Sequence, residues 1–442
     1  MVPFFFKVAK GKGELQTYWI RPQQLGVQSS ASTVASETKE FDALVSVEGA
    51  LSDRPGSEMN KLRWAKENHR SIEWTVDLLF KELKWVVAER RDATVQEPHN
   101  VVWLHQDFSA GVVVWDDRLC EALFELSDSS WQEDETLLNF RGGKAEDQLR
   151  KFVTCLAYDY NQAAFHNYKH ACHVLMSAYN MLERLSAKLG VNRQLNAWAK
   201  FVVLLAALIR DMDPANSDSL QTSIENQSGA EDSLVFSTKH STAIHHSLQK
   251  AWNLLLGEKF YALRVCLCLN REEFDCFRQL LVNLVLGADL SSGYHSIQRD
   301  VRWKNAFREY GIDNEGNGTP NRRRISDEQA ASLLEHVSLA AQWTHTMQHW
   351  ENYKKWNARL YHELCKDYEN GRVSVDPAGY WYQQELVLFD KAIIPLAERL
   401  QEPFALGADG SEYLRFALAN RREWEATQEN FSQRASCVAY ES

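Results

Sequence analysis

The sequence lacks a disulfide framework. Its eight cysteines form no CxxC pair and show no regular spacing along the 442 residues; they lie at positions 120, 155, 172, 266, 268, 276, 365 and 437. Small secreted domains that depend on disulfides show an ordered cysteine pattern, so this class is excluded. The scattered thiols are typical of a reducing compartment, and we expect a cytoplasmic protein.

A basic excess is also missing. The chain has 49 lysines and arginines against 60 aspartates and glutamates, which gives a net charge of −11 at pH 7. Proteins that bind nucleic acids concentrate positive charge on one surface or along one helix. We therefore expect no nucleic-acid partner, and any ligand that carries a phosphate has to be held by a local site.

No segment is apolar enough for long enough to cross a membrane. The longest purely apolar run is FVVLLAALI, residues 201–209, whereas a spanning helix needs about 20 such residues. We expect no membrane span and interpret the run as a buried helix. The N-terminal MVPFFFKVAKGKG has no basic region before its apolar patch and no small-residue cleavage site, so it predicts no signal peptide. This start is also compatible with a piece of a longer protein.

Helical periodicity fills most of the chain. From about residue 115 onward, segment after segment has apolar residues at spacings of three and four. The sequence therefore predicts an all-α fold. Residues 61–94 predict one long amphipathic helix, which could serve dimerisation.

The remaining segments are predicted to lie outside the regular helices. Residues 1–60 show no sustained periodicity and are interpreted as a linker or a poorly ordered arm. Residues 101–115 are rich in β-branched residues and tryptophan, which allows a short strand or hairpin. The stretch GIDNEGNGTPNRRR, residues 311–324, predicts an exposed loop. Residues 426–442 are taken as a tail.

The stretch FHNYKHACHV concentrates histidines. On a continuous helix, His166, His170 and His173 would stand at i, i+4 and i+7 and project from one face. One interpretation is polar residues on a half-buried helix face. Another is a zinc site completed by Asp211, because three imidazoles and a carboxylate are acceptable ligands. However, i to i+7 spans about 10 Å along a helix, too far for all three rings to reach one ion.

Several motifs resemble one enzyme family. Phe165, His166, Asn167, His170 and Ala171 follow one another as in the family's hallmark, an aromatic residue followed by HNxxHA. The likeness continues through LLAALIRDMDPAN, LVLGADLSS, HTMQHW and WYQQELVLFDKAIIPLAERL. The chain resembles the class I 3′,5′-cyclic-nucleotide phosphodiesterases, all-helical metal-dependent hydrolases of the HD type, over roughly residues 95–425. The sequences of its motifs are most similar to those of the algal and diatom members.

The resemblance implies a two-metal mechanism. Two divalent cations, among zinc, magnesium and manganese, bridge a hydroxide that attacks the cyclic phosphate, while a histidine protonates the departing ribose 3′ oxygen. Position by position, it implies His166 as the general acid and His170 and Asp211 as metal ligands. It also implies substrate contacts from Asn167, Asp213, Asp289, Glu385 and Leu388.

Two positions depart from the family pattern. The family's HD pair reads Arg210-Asp211, and a guanidinium cannot give up its proton to ligate a cation. The family's other metal-binding aspartate aligns with Gln342, a neutral amide. Two of the four implied protein ligands are therefore replaced, whereas removal of a single supporting partner already costs ~10- to 100-fold in metal affinity or activity. The sequence predicts a degenerate metal site in which Arg210 replaces a metal's charge by pairing with Asp211.

The implied nucleotide pocket also differs from the family. Glu385 stands where most members have the glutamine that bonds the purine, and Leu388 stands where an aromatic ring usually stacks on the base. A carboxylate only accepts hydrogen bonds, which favours the donor edge of guanine and hence cGMP. The alternatives are that Glu385 lies on a helix surface and that Leu388 is a core residue.

Two functions follow from the resemblance. The first is a catalytically impaired or inactive family member in cyclic-nucleotide signalling, which acts as a sensor or as a regulatory partner of an active cyclase or phosphodiesterase, or as a homodimer. The second is an active phosphodiesterase that hydrolyses cAMP or cGMP to the 5′-monophosphate. Other HD-type phosphohydrolases and scaffolds remain as further alternatives.

Overall fold

The predicted periodicity forms helices in the computed structural model of the protein, which describes residues 58–93, 142–160, 163–189, 195–212, 237–290, 293–308, 327–402 and 405–431. In chain order these helices are α1 Glu58–Ala93, α2 Gly142–Asp159, α3 Tyr168–Leu189, α4 Ala197–Ile209, α5 Ser237–Leu256, α6 Tyr261–Leu267, α7 Arg271–Gly287, α8 Gly293–Ala306, α9 Asp327–Gln342, α10 Trp350–Glu369, α11 Trp381–Leu388, α12 Ile394–Gln401 and α13 Ser411–Phe431. The ranges above contain no strand, so the all-α prediction is confirmed.

Some predictions lie outside the described residues. They concern the arm before residue 58, the strand or hairpin at 101–115, the loop at 311–324 and the end of the tail. Every described residue belongs to one unit, Ser46–Ser442.

The apolar run 201–209 forms the centre of the fold. It lies in α4, where all nine of its residues are buried, as predicted. Asn196 caps this helix, because its side-chain oxygen accepts a hydrogen bond from the Ala199 N–H at 2.7 Å. Helices α1, α3 and α7 pack around α4, which explains why it is apolar on every side. In the part of the chain that the structure describes, no helix combines the length and apolarity that a membrane span requires.

The long helix α1 is part of this core. Ile72, Val76, Leu79 and Leu83 are fully buried and belong to the same hydrophobic cluster as α4. The helix is Glu58–Ala93, whereas the sequence predicted a helix over residues 61–94. It therefore lies against α2 and α4 along its apolar face, and dimerisation through its exposed face stays a prediction.

The prediction that one helix face carries His166, His170 and His173 is wrong. Helix α3 begins at Tyr168, so only His170 and His173 lie on it and His166 lies in the bend before it. The cause is Asn167, whose side-chain oxygen accepts from the His170 N–H at 3.1 Å. An asparagine that caps a helix has a non-helical backbone, so the helix begins after Asn167, at Tyr168.

A π-helical turn separates α11 from α12. It covers Phe389–Ile393, and Pro395 follows in the first turn of α12. Proline lacks the N–H that an α-helix needs at interior positions. The wider turn lets one continuous helical segment carry Pro395 while Glu385 and Phe389 stay buried on its inner side.

Candidate active site

His166 is held by a carboxylate that is distant in the sequence. Its Nδ1 lies 2.5 Å from Glu363 Oε1. The backbone N–H groups of Phe165 and His166 donate to Glu363 Oε2 at 2.7 and 3.1 Å. Glu363 lies near the end of α10, so this helix orients both the ring and the backbone of the bend before α3.

The His166–Glu363 pair stabilises the charged form of both groups. Burial by itself would lower the pKa of His166, but the Glu363 carboxylate, and Asp211 after it, raises that pKa above its usual value. Burial raises the pKa of Glu363, but the charge of His166 and the three hydrogen bonds outweigh burial and lower it to about 2. A histidine that keeps its proton near neutral pH can act as a proton donor.

Three further imidazoles and two aromatic rings form what we call the histidine cluster: His170, His173, His345, Phe165 and Trp356. The His170 ring lies 4.2 Å from Phe165, 5.2 Å from Trp356 and 5.8 Å from His345, measured between ring centroids. The His173 ring lies 5.1 Å from Trp356. The aromatic rings of Phe165 and Trp356 therefore pack against the imidazoles of His170 and His173.

Burial keeps the imidazoles of this cluster neutral. It lowers the pKa of His170 well below the usual value, with further lowering by the neighbouring His345 and His166 rings and by Arg210. It lowers the pKa of His345 to about 3. It lowers the pKa of His173 to about 4. A neutral imidazole can ligate a metal or donate one hydrogen bond.

The end of α4 carries a buried ion pair. Arg210 Nη1 lies 2.8 Å from Asp211 Oδ1, and the two side chains are only 5% and 7% exposed. Gln342, the last residue of α9, is also buried. Arg210 lowers the pKa of His166 and Asp211 raises it, so this pair acts electrostatically on the same ring as Glu363.

Glu385 is the end of a buried polar network. The Tyr353 hydroxyl donates to Glu385 Oε2, and the Tyr353 oxygen accepts from Trp424 Nε1 at 2.6 Å and Asn357 Nδ2 at 3.2 Å. Trp381 Nε1 in turn donates to Asn357. Burial raises the pKa of Glu385 to about 7, against the hydrogen bonds from Tyr353 and Asn357. Because Glu385 is only 3% exposed, it is not a helix-surface residue.

The other residues predicted to contact the substrate lie at separate places in the fold or outside the described residues. Asn167 caps α3, and its amide nitrogen donates to the carbonyls of Ala163 and Ala164. Asp289 is buried just after α7, and Leu388 is partly buried beside the core. Asp213 lies outside the described residues. Substrate contact by each of these residues stays a prediction.

Comparison with known proteins identifies the domain. Residues 165–378 match the family model described as 3′5′-cyclic nucleotide phosphodiesterase. These residues form a phosphodiesterase-family domain. Among solved structures, the chain is similar to the phosphodiesterase domain of the RhoPDE fusion protein from the choanoflagellate Salpingoeca rosetta, with 19% identity, a TM-score of 0.49, and coverage of 76% of this chain and 99% of that chain. A second structure, the phosphodiesterase domain of the rhodopsin phosphodiesterase of the same organism, gives 20% identity, a TM-score of 0.48, and coverage of 72% and 90%. No curated protein matches the chain.

The phosphodiesterase family implies metal ions, and the residues present do not fit a two-metal centre. Within the described ranges, no group of three or more histidines, cysteines, aspartates and glutamates is arranged to hold a metal ion. Asp211, for which the resemblance implies a metal-bridging role, is paired with Arg210, and Gln342 offers only an amide. Divalent cations need deprotonated ligands with negative charge or lone pairs directed at one point, and the described part of this phosphodiesterase site does not provide them.

Four residues of the phosphodiesterase site were missed in the sequence: Glu363, His345, Tyr353 and Trp424. Glu363 stands seven residues after Trp356 and therefore on the same face of α10, but no local sequence signal relates it to His166. Tyr353 lies three residues before Trp356 and faces Glu385. Helix α10 thus connects the histidine cluster with the Glu385 network. Trp424, on α13, has no local sequence signal that relates it to Glu385.

Proposed function

We propose that the protein binds a 3′,5′-cyclic nucleotide at the site described above and hydrolyses it slowly or not at all, acting as a sensor or as a regulatory partner in cyclic-nucleotide signalling. The observation that carries this proposal is the buried Arg210–Asp211 ion pair at 2.8 Å. The motif resemblance assigns these two residues to the positions where the family holds its cations.

The part of the site that would donate a proton is intact. His166 is oriented by Glu363 through three hydrogen bonds, and its raised pKa favours the imidazolium near neutral pH. In this arrangement His166 can hold a proton towards the ribose 3′ oxygen of a bound nucleotide. Binding of the cyclic ring does not require the bond to be broken, so a sensor can retain this contact.

The part of the site that would generate the nucleophile is altered. In the family, bound cations supply an activated hydroxide near neutral pH. Here the described carboxylate at that place, Asp211, is paired with a guanidinium that is always charged. A proton donor without an activated nucleophile gives little hydrolysis, because attack on a phosphodiester needs both.

The Glu385 network supports a preference for guanine. Trp424 and Asn357 both donate to the Tyr353 oxygen, so the Tyr353 proton is directed to Glu385. An ionised Glu385 then offers only acceptors to a base. The guanine edge presents N1–H and N2–H₂ donors, whereas the adenine edge mixes a donor with an acceptor. We therefore favour cGMP as the ligand over cAMP.

The second candidate function is an active phosphodiesterase. The intact His166–Glu363 pair favours it, because a pure scaffold would not need a buried histidine with a raised pKa. In this case Zn²⁺, Mg²⁺ or Mn²⁺ would have to bind through His170 and Asp211 after the Arg210 pair opens. That opening exposes a buried charge and is costly.

A hydrolysis assay separates the two candidates. Purified protein is incubated with cAMP or cGMP in the presence of zinc, magnesium or manganese, and the 5′-monophosphate is measured. The same assay is applied to the double variant Arg210→His, Gln342→Asp, which restores both family ligands. We expect activity in the double variant and little in the unaltered protein. Turnover of the unaltered protein at the rate of the double variant would support the active phosphodiesterase.

The cellular setting belongs to the same proposal. The scattered cysteines favour a cytoplasmic protein, either alone, as a homodimer or bound to an active cyclase or phosphodiesterase. Co-purification of the tagged full chain with cyclase activity would support the last arrangement.

A further inference from the structure

Two carboxylates act on His166, and each is paired with a cationic side chain of the protein. Asp211 pairs with Arg210 at 2.8 Å, and Glu363 pairs with His166 at 2.5 Å. Both pairs are largely buried. A divalent cation that entered between them would have to displace a guanidinium from a low-dielectric environment, which is unfavourable.

The histidine cluster and Gln342 present buried polar atoms that have no partner. Among the residues that the structure describes, these include the Nδ1 atoms of His170 and His173 and the Oε1 atom of Gln342. Buried polar atoms are nearly always hydrogen-bonded in folded proteins. Several such atoms in one cluster indicate that a ligand completes it.

The bond to His173 shows which kind of partner is needed. The Gln348 side-chain nitrogen donates to His173 Nε2 at 2.9 Å, and an amide nitrogen cannot accept. The neutral ring of His173 therefore carries its proton on Nδ1, and this N–H has no acceptor. A donor of this kind repels a cation and favours an anion.

The two departures from the family pattern change the charge in the same direction. Arginine in place of a neutral histidine at position 210 adds one positive charge. Glutamine in place of an aspartate at position 342 removes one negative charge. Together they raise the charge of the site by two, the charge of one divalent cation, and they do so with side chains that cannot be removed by a chelator.

We propose that the histidine cluster with Arg210 is a metal-independent anion site whose ligand is the phosphodiester monoanion of a 3′,5′-cyclic nucleotide. This inference rests on the proposed function, because it concerns the same ligand. A guanidinium has five N–H donors in a planar fork, so one arginine can hold a carboxylate and a phosphate oxygen at once. The packed rings of Phe165 and Trp356 strengthen such bonds because apolar surroundings lower the local dielectric constant.

The test is calorimetric titration of the full chain with cGMP and cAMP, in excess EDTA and again with magnesium or zinc. We expect the unaltered protein to bind in EDTA and its affinity to change by less than about twofold with metal. Arg210→Gln should weaken binding in EDTA by roughly 10- to 100-fold, as expected for loss of a charge-assisted hydrogen bond. Arg210→Lys, which keeps the charge, should retain more affinity than Arg210→Gln.

Two reversions provide the matched comparison. The double variant Arg210→His, Gln342→Asp should bind in metal and lose most of its affinity in EDTA. Gln329→Asp, which adds the same negative charge in the first turn of α9, should behave like the unaltered protein. Circular dichroism shows whether each variant is folded. If Arg210→Gln is unfolded, the test is the nucleotide affinity in EDTA of the unaltered protein compared with that of Arg210→Lys.

The outcomes distinguish the two proposals. Binding that appears only with metal, or equal binding by Arg210→Gln, overturns the anion site and leaves the proposed function standing. If the titrations show no heat of binding for either nucleotide in any buffer, the proposed function itself is overturned. Binding in EDTA that Arg210→Gln weakens supports both.

Discussion

Replacement of Arg210 by methionine should destabilise the fold strongly. The pair with Asp211 is 5% and 7% exposed and has an N–O distance of 2.8 Å. Coulomb's law with an effective dielectric constant of about 20 gives an attraction of about 6 kcal/mol at this distance. Removal of one partner leaves Asp211 buried and uncompensated, so we expect the free energy of unfolding to fall by about 3–5 kcal/mol.

The companion variant separates charge from packing. Arg210→Met combined with Asp211→Asn removes both charges, so most of the lost stability should return. The assay is urea unfolding followed by the fluorescence of the 15 tryptophans. Arg63→Met provides the control, because Arg63 and Glu67 form an exposed pair, 81% and 57% accessible, whose loss should matter little. If Arg210→Met costs no more than Arg63→Met, Arg210 does not compensate Asp211 and our account of this site is wrong.

The His166–Glu363 pair and the Glu385 network lead to further predictions. Glu363→Gln should lower the pKa of His166, measured by NMR titration, and an unchanged pKa would contradict the pairing. The same variant should cost most stability between about pH 4.5 and 6.5. The raised pKa of His166 stabilises the fold below the pKa that His166 has in the unfolded chain, and the lowered pKa of Glu363 stabilises it above the pKa that Glu363 has in the unfolded chain. Equal losses of stability at pH 5.5 and 8.5 in urea unfolding would refute this. Glu385→Gln should shift nucleotide preference towards cAMP by roughly tenfold, and Tyr353→Phe should reduce the discrimination between cGMP and cAMP in the same titration. Preference for cGMP should also rise with pH through about 7, where Glu385 ionises, and a flat profile would contradict its acceptor role.

The helices were predictable because their periodicity is local. The apolar run 201–209 identified the buried α4, and the motifs around Phe165 and Glu385 identified the family to which residues 165–378 belong. These signals depend on residues that are neighbours along the chain. The same information predicted Arg210 beside Asp211, since the two are adjacent.

The long-range pairs were not predictable in this way. Glu363 lies 197 residues from His166, and Trp424 lies 71 residues from Tyr353, so no spacing rule relates them. The start of α3 was misjudged for a different reason. Helical periodicity was extended back to His166, whereas Asn167 caps the helix, which therefore begins at Tyr168.

The metal content of the purified full chain tests the central claim most directly. Elemental analysis after purification in buffers with zinc and magnesium should find well below one divalent ion per chain, because Arg210 already neutralises Asp211 and Gln342 offers no charge. A content close to two divalent ions per chain would contradict the account, since it would mean that the site assembles a two-metal centre in spite of both substitutions.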